Sequence, residues 1–143
     1  MPEITDPILR NGREQRFVAE PVTIWKARKY IQECSDEDLP LTRVASFVNI
    51  NPNYFSEKFK EVTGLNFVDY LARVRVAKAM ELLLNKNLRV SEIAFAVGFQ
   101  SLSQFNRVFK RICGESPTEF RLAHSKFLAA SHLKPSRTKS ALV

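Results

Sequence analysis

The sequence predicts an all-α fold of two similar lobes joined by a long helix. Three observations carry this. From Trp25 onward apolar residues recur at helical spacing. Few stretches alternate apolar and polar residues as a half-buried strand does. One segment also occurs twice: residues 44–64 align with residues 93–114. Ala45 meets Ala94 and Val48 meets Val97 at an offset of 49. After one extra residue in the second copy the offset is 50. Phe55 then meets Phe105, Phe59 meets Phe109, Lys60 meets Lys110, Val62 meets Ile112 and Gly64 meets Gly114. Two copies are too few for a stacked array, so a bilobed domain is expected.

Residues 1–22, with Pro2, Pro7, Gly12 and Pro21 among scattered charges, read as a poorly ordered leader or linker stub. A helix follows with Ile24, Ala27 and Ile31 on one face and Lys26, Arg28 and Lys29 off it. Residues 34–38 end it, and Pro40 suits the start of the next. In copy one the first helix is about Leu41–Val48, the turn is Asn49-Ile50-Asn51, and the second helix runs from Pro52 to about Thr63. In copy two the helices are about Val90–Val97 and Leu102–Cys113, around the turn Gly98-Phe99-Gln100-Ser101. Gly98 takes φ > 0 without steric cost, and asparagine, here Asn49, is next best. Asn51 and Ser101 cap the second helices. Asn66 with Asp69, and Ser116 with Glu119, have the spacing of N-terminal capping boxes, and Pro117 fits a first helical position. Each copy therefore follows the helix-turn-helix plan. The joining helix, about Phe67–Leu84, offers Phe67, Leu71, Val74, Val76, Ala79, Leu82 and Leu83 to the lobes. It leaves Arg73, Arg75, Lys78 and Glu81 for solvent or a partner.

Composition narrows the function. A chain of 143 residues forms one domain or two very small ones, and 45% hydrophobic residues is too many for a disordered chain. No apolar run approaches the roughly 20 residues of a membrane helix, and Met1–Asp6 lacks the basic and apolar regions of a secretory signal. Cys34 and Cys113 are isolated, and His124 and His132 lie near the C-terminus, so no zinc site is expected. The two unpaired cysteines fit a reducing compartment. No phosphate-binding glycine loop, nucleophile elbow or His-Glu-x-x-His is present. Asp36-Glu37-Asp38 reads as a solvated loop. The net charge is +7 and the pI about 9.7, which points to an anionic partner. The charge is uneven: Lys126, Lys134, Arg137 and Lys139 put four positive charges in residues 123–143, opposed by no acid.

The second helix of each copy divides into two faces. Phe55, Phe59 and Val62, repeated as Phe105, Phe109 and Ile112, form the core stripe. Opposite lie Asn53, Ser56, Glu57 and Lys60, repeated as Ser103, Asn106, Arg107 and Lys110. A merely solvated face is usually rich in lysine and glutamate. This one carries the amide, hydroxyl and guanidinium groups that read base edges: arginine pairs with guanine O6 and N7, asparagine with adenine N6 and N7. Glu57 either accepts from cytosine N4 or is a rim residue pointing away. Arg107 in the matching position implies that copy two contributes more affinity. Leu102 either touches a thymine methyl or packs inward. Helix N-termini at Leu41, Val90 and Pro117 are candidate phosphate contacts. Arg43, Arg75 and Arg89 either add charge there or are simply solvated.

The chain from about Trp25 to Phe127 resembles the DNA-binding domain of the AraC/XylS class of bacterial transcription regulators. The resemblance rests on Arg75-Val76-x-x-Ala79-x-x-Leu82-Leu83, then Val90-x-x-Ile93-Ala94-x-x-Val97-Gly98-Phe99, and then Ser101, Phe105, Phe109-Lys110, Gly114 and Ser116-Pro117-x-x-Phe120-Arg121. It implies seven helices and two recognition helices entering successive major grooves on one DNA face. By position, the first would use Asn51, Asn53, Ser56, Glu57 and Lys60 on bases. The second would use Gln100, Leu102, Ser103, Asn106 and Arg107. Arg43, Arg75, Arg89, Ser101 and Lys110 are the candidate phosphate contacts. Contact with RNA polymerase is a further implication, as is a separate sensor or dimerisation domain that this length does not accommodate.

The resulting expectation is a 23–127 DNA-binding domain: lobe one about 23–66, a linker helix about 67–84, and lobe two about 85–127. A basic, disordered tail covers 128–143. The protein is expected to be a monomeric, cytoplasmic transcription regulator that binds double-stranded DNA, with no cofactor, metal, membrane contact or enzymatic activity. It is either a fragment of a longer parent, dimeric through another domain, or a standalone short regulator. The rival is a helical protein–protein interaction module, which would lack the steep salt dependence of phosphate contacts.

Overall fold

A computed structural model describes residues 21–133, with side chains to Ser125. The leader expected before residue 21 and the tail residues Lys134, Arg137 and Lys139 lie outside the described residues. Among the described residues there are seven helices and no strand: α1 Val22–Cys34, α2 Leu41–Phe47, α3 Pro52–Thr63, α4 Phe67–Leu83, α5 Val90–Ala96, α6 Leu102–Cys113 and α7 Pro117–Leu133. The last helix thus continues past the Phe127 boundary read from the sequence. No helix among the described residues is long and apolar enough to cross a membrane.

The described residues form two compact units. The first comprises the residues up to Cys34 together with Leu39–Leu71. The second comprises Ser35–Asp38 and the residues from Ala72 onward. The division falls inside α4, so most of the expected linker helix belongs to the second unit's core. The short segment Ser35–Asp38 belongs there too, although helices of the first unit flank it in the chain.

In the first unit α1 buries Ile24, Ala27 and Ile31, the face its spacing predicts, together with Val44 and Ala45 of α2 and Phe55 and Phe59 of α3. The Phe55 and Phe59 rings lie 5.4 Å apart, and Phe59 meets Tyr70 edge-on at 5.0 Å. The second unit repeats this geometry. Ala94, Phe105 and Phe109 are fully buried, the two rings are 5.6 Å apart, and Phe109 meets Phe120 edge-on at 5.7 Å. Phe120 stands at the same offset of 50 from Tyr70 as Phe109 from Phe59. Burying each phenylalanine contributes about 1.5–3 kcal/mol, which makes these rings the principal anchors of both units.

The turns repeat as well. In copy one the amides of Asn49 and Ile50 donate to the carbonyls of Ser46 and Ala45, both at 3.1 Å. In copy two Gly98 and Phe99 donate to Phe95 and Ala94 at 3.1 and 3.0 Å. Asn49 has φ 61° and Gly98 φ 114°, the left-handed backbone that the turn requires. This turn ends α2 and α5 one residue earlier than the apolar pattern alone indicates. Glycines with positive φ close α3 and α6.

Candidate nucleic-acid interface

The buried phenylalanine pair fixes the rotation of each second helix and therefore what the opposite face presents. On α3 the side chains of Asn53, Glu57 and Lys60 are exposed and Ser56 is half-buried. On α6 Ser103, Asn106, Arg107 and Lys110 are exposed, and Leu102 is 38% exposed, so it does not pack inward as a core residue. Gln100 is exposed in the turn ahead of α6.

The caps bear on what these residues can do. Asn51 Oδ1 accepts from the amides of Asn53 and Tyr54 at 2.8 and 3.2 Å. A carbonyl oxygen has two lone pairs, so the cap occupies its acceptor and Asn51 offers a partner only its amide donors. Asn53 keeps the donor–acceptor pair that matches adenine. Ser101 Oγ accepts from the Gln104 amide at 3.0 Å, which leaves its hydroxyl proton to donate, as a phosphate contact requires. Gln104 Oε1 in turn lies 3.4 Å from the Gln100 amide.

Electrostatics separate the two helices. At matching positions α3 carries Glu57, Lys60 and Glu61, and α6 carries Arg107, Lys110 and Arg111. Arg111 is a further cation on this helix that the polar stripe alone does not single out. Its signal was present in the spacing, since it follows Arg107 by one helical turn and is exposed beside it. Lys58, on α3, lies 3.8 Å from Glu61.

The candidate phosphate contacts differ in their surroundings. Arg89 is exposed at the start of α5, where its backbone amide donates to Glu92 Oε1 at 2.8 Å. Arg43 is half-buried; its Nε donates to Tyr30 Oη at 3.0 Å and its guanidinium lies over that ring. Arg75 departs from the expectation. Its Nε donates to the Ser35 carbonyl at 2.7 Å and an Nη to the Glu37 carbonyl at 2.8 Å, and its guanidinium carbon lies 5.9 Å from the Phe99 ring centre. Burial lowers its pKa, partly countered by Asp38 and Asp36. A guanidinium tied in this way to the chain's own carbonyls has fewer donors to offer a phosphate. Lys78 is likewise engaged, with Nζ 2.7 Å from the Ser35 hydroxyl, so both cations make contacts within the chain. The Asp36-Glu37-Asp38 loop is correspondingly more than a solvated connection: its side chains are exposed but its backbone accepts from Arg75.

Little here supports catalysis. Burial, with the Glu115 charge adding, pushes the Cys113 thiol up, away from a reactive thiolate. Among the described residues no three His, Cys, Asp or Glu side chains gather as a metal site would need.

Comparison with known proteins places this geometry. A family model described as a helix-turn-helix domain matches residues 44–123, more than half of the chain. The chain belongs to the AraC-type helix-turn-helix family. The regulatory protein PocR of Salmonella typhimurium is 36% identical over 96 residues, covering 67% of this chain and 32% of PocR. The C-terminal domain of AraT, a response regulator from Geobacillus stearothermophilus, superposes with a TM-score of 0.69 at 38% identity, covering 72% of this chain and 86% of that one. The DNA-binding domain of AdpA, solved in complex with a target DNA, superposes with a TM-score of 0.68 at 25% identity, covering 71% of this chain and 92% of that one. The chain spans about a third of the length of the curated AraC-type relatives it matches.

Proposed function

We propose that this chain is the DNA-binding part of a transcription regulator and reads double-stranded DNA by sequence, with α3 and α6 in successive major grooves. The observation that carries this reading is the repeated construction of the two helices: a fully buried phenylalanine pair on one side and an exposed face of amide, hydroxyl and cationic groups on the other. Repetition of a polar face opposite a matching core stripe is what two equivalent readers require, and the DNA-binding domain of the relative AdpA was solved with DNA. Successive major grooves recur about every 34 Å, which sets the separation the readers must meet.

In this reading α6 supplies most of the affinity, since Arg107, Lys110 and Arg111 stand where α3 has Glu57, Lys60 and Glu61. Arg107 pairs with guanine, Asn53 and Asn106 with adenine, and Leu102 touches a thymine methyl. Gln100, Ser103, Ser56, Glu57 and Lys60 complete the base-facing set. Asn51, restricted to donating, takes an oxygen or a purine N7. Ser101, Lys110, Arg89 and Arg43 hold phosphates. The protein acts in the cytoplasm as a regulator and not as an enzyme, contacts RNA polymerase, and in a longer parent dimerises through a separate domain.

The test is Arg107→Ala against the preferred duplex and its single-base variants. The expected loss is about 1–3 kcal/mol, confined to one base pair whose identity the variant no longer discriminates. Unchanged affinity for every sequence would remove Arg107 from the reading face.

A further inference from the structure

The second unit holds a buried polar cluster that base reading leaves unused. Ser35 is fully buried. Its carbonyl accepts from Arg75 Nε at 2.7 Å and its hydroxyl lies 2.7 Å from Lys78 Nζ, while a second Arg75 nitrogen reaches the Glu37 carbonyl at 2.8 Å. The backbone of Gly98 closes against this cluster: a Cβ there would fall on the Ser35 carbonyl oxygen and 2.7 Å from Arg75 Nε. Phe99, the next residue, lies beneath the guanidinium and is nearly fully buried, and its ring centre is 5.2 Å from that of Phe105 in α6. Gln100 and the cap Ser101 follow directly.

We propose that Arg75 is a positioning residue for the second recognition helix. Its fork holds the Ser35 and Glu37 carbonyls against the Gly98-Phe99 turn, and its charge stands over the Phe99 ring, whose packing sets Phe105 and with it the tilt of α6. The inference rests on the reading of α6 as a DNA reader. Arginine is suited to this because one planar group can bridge two carbonyls while its charge lies over a ring; a lysine ammonium cannot bridge them in the same way. The lever is sensitive. A tilt of about 10° moves a point roughly five residues along a helix by more than about 1 Å, and bidentate pairing fails over a displacement of that size. Half-burying a guanidinium is costly, and Asp36 and Asp38 offset part of that cost.

The experiment compares wild type, Arg75→Lys and Arg75→Met in two measurements, below the temperature at which circular dichroism shows any unfolding. The first scores enrichment from a pool of double-stranded DNA, base pair by base pair. The base pairs read by α6 are those in the half of the selected motif that contains the pair whose discrimination Arg107→Ala alters. The expected result is a loss of discrimination at those pairs on the order of tenfold in Arg75→Met, partly restored in Arg75→Lys, with the pairs read by α3 unaffected. The second measurement needs no DNA: amide NMR shifts of Gln100–Arg107 are expected to move in both variants. A folded Arg75→Met chain with wild-type discrimination and unmoved amides overturns the proposal. An equal loss at every base pair also overturns it, because that marks general destabilisation. A wild-type chain that selects no sequence, with amides that do move, refutes the DNA reading while leaving the Arg75 packing role in place.

Discussion

Replacing Gly98 with alanine tests the closest approach in the second unit, and Gly114→Ala provides the control. Gly98 has φ 114°, and an added Cβ would meet the Ser35 carbonyl oxygen and Arg75 Nε. Gly114 has φ 84° and open space within 4 Å of an added Cβ. The control therefore carries only the backbone cost of a left-handed alanine, about 1–2 kcal/mol. Gly98→Ala carries a similar or larger backbone cost, about 1–3 kcal/mol. It also breaks the Arg75–Ser35 hydrogen bond, and a bond to a charged group is worth about 1.5–3 kcal/mol. Because Arg75 is half-exposed and water replaces part of that bond, the total is about 3–4 kcal/mol, roughly 2 kcal/mol beyond the control. Urea unfolding followed by far-ultraviolet circular dichroism measures both variants, with the m-value checked for constancy. In the double variant with Arg75→Ala the costs should fall short of additive, because both substitutions remove the same contact. Equal destabilisation by Gly98→Ala and Gly114→Ala would refute the close packing of this turn.

Two further outcomes follow from single side chains. Arg121 donates to the carbonyls of Leu83, Asn85 and Leu88 at 2.8, 3.2 and 2.7 Å, and so satisfies acceptors at and beyond the end of α4; Arg121→Ala should cost about 2–3 kcal/mol in urea unfolding, and a cost near zero would mean water serves those carbonyls equally well. The amide and hydroxyl of Ser116 hold the Glu119 carboxylate below its usual range. The lowered folded-state pKa means its contribution is present above the unfolded value, about 4.3, and is lost as pH falls through the folded value. Melting temperature against pH should therefore drop more steeply on the acid side in wild type than in Glu119→Gln, and parallel curves would contradict the capping assignment.

The repeat made most of the architecture legible. Phe55 and Phe59 recur as Phe105 and Phe109 at one offset, and a buried pair four residues apart dictates both a helix and the face it hides. Asn51, Ser101 and Ser116 act as the caps their positions indicate, because capping is a local matter of a few residues. The exposed polar face of α3 and α6 was legible for the same reason, as the complement of the stripe. Arg75 was not. By local spacing it sits beside solvent-facing positions of α4, and its carbonyl partners lie 38 and 40 residues earlier in the chain. Nothing in the local pattern marks a long-range contact of that kind. Lys78 eluded the same reasoning through the same residue, Ser35. Arg121 stood out only as part of a family motif, and its work on the end of α4 emerges from the fold.

The central claim is that two similar helices read DNA by sequence. It is tested most directly by selecting duplexes from a random double-stranded pool with the purified chain, sequencing them, and following the affinity of the winners against salt. The account predicts a two-part motif with centres about one helical turn apart. It also predicts stronger information content in the half read by α6, and affinity falling with salt at a slope of about −0.9 for each phosphate contacted. Weak binding that selects no sequence would contradict it, and would leave the polar faces of α3 and α6 to another kind of partner.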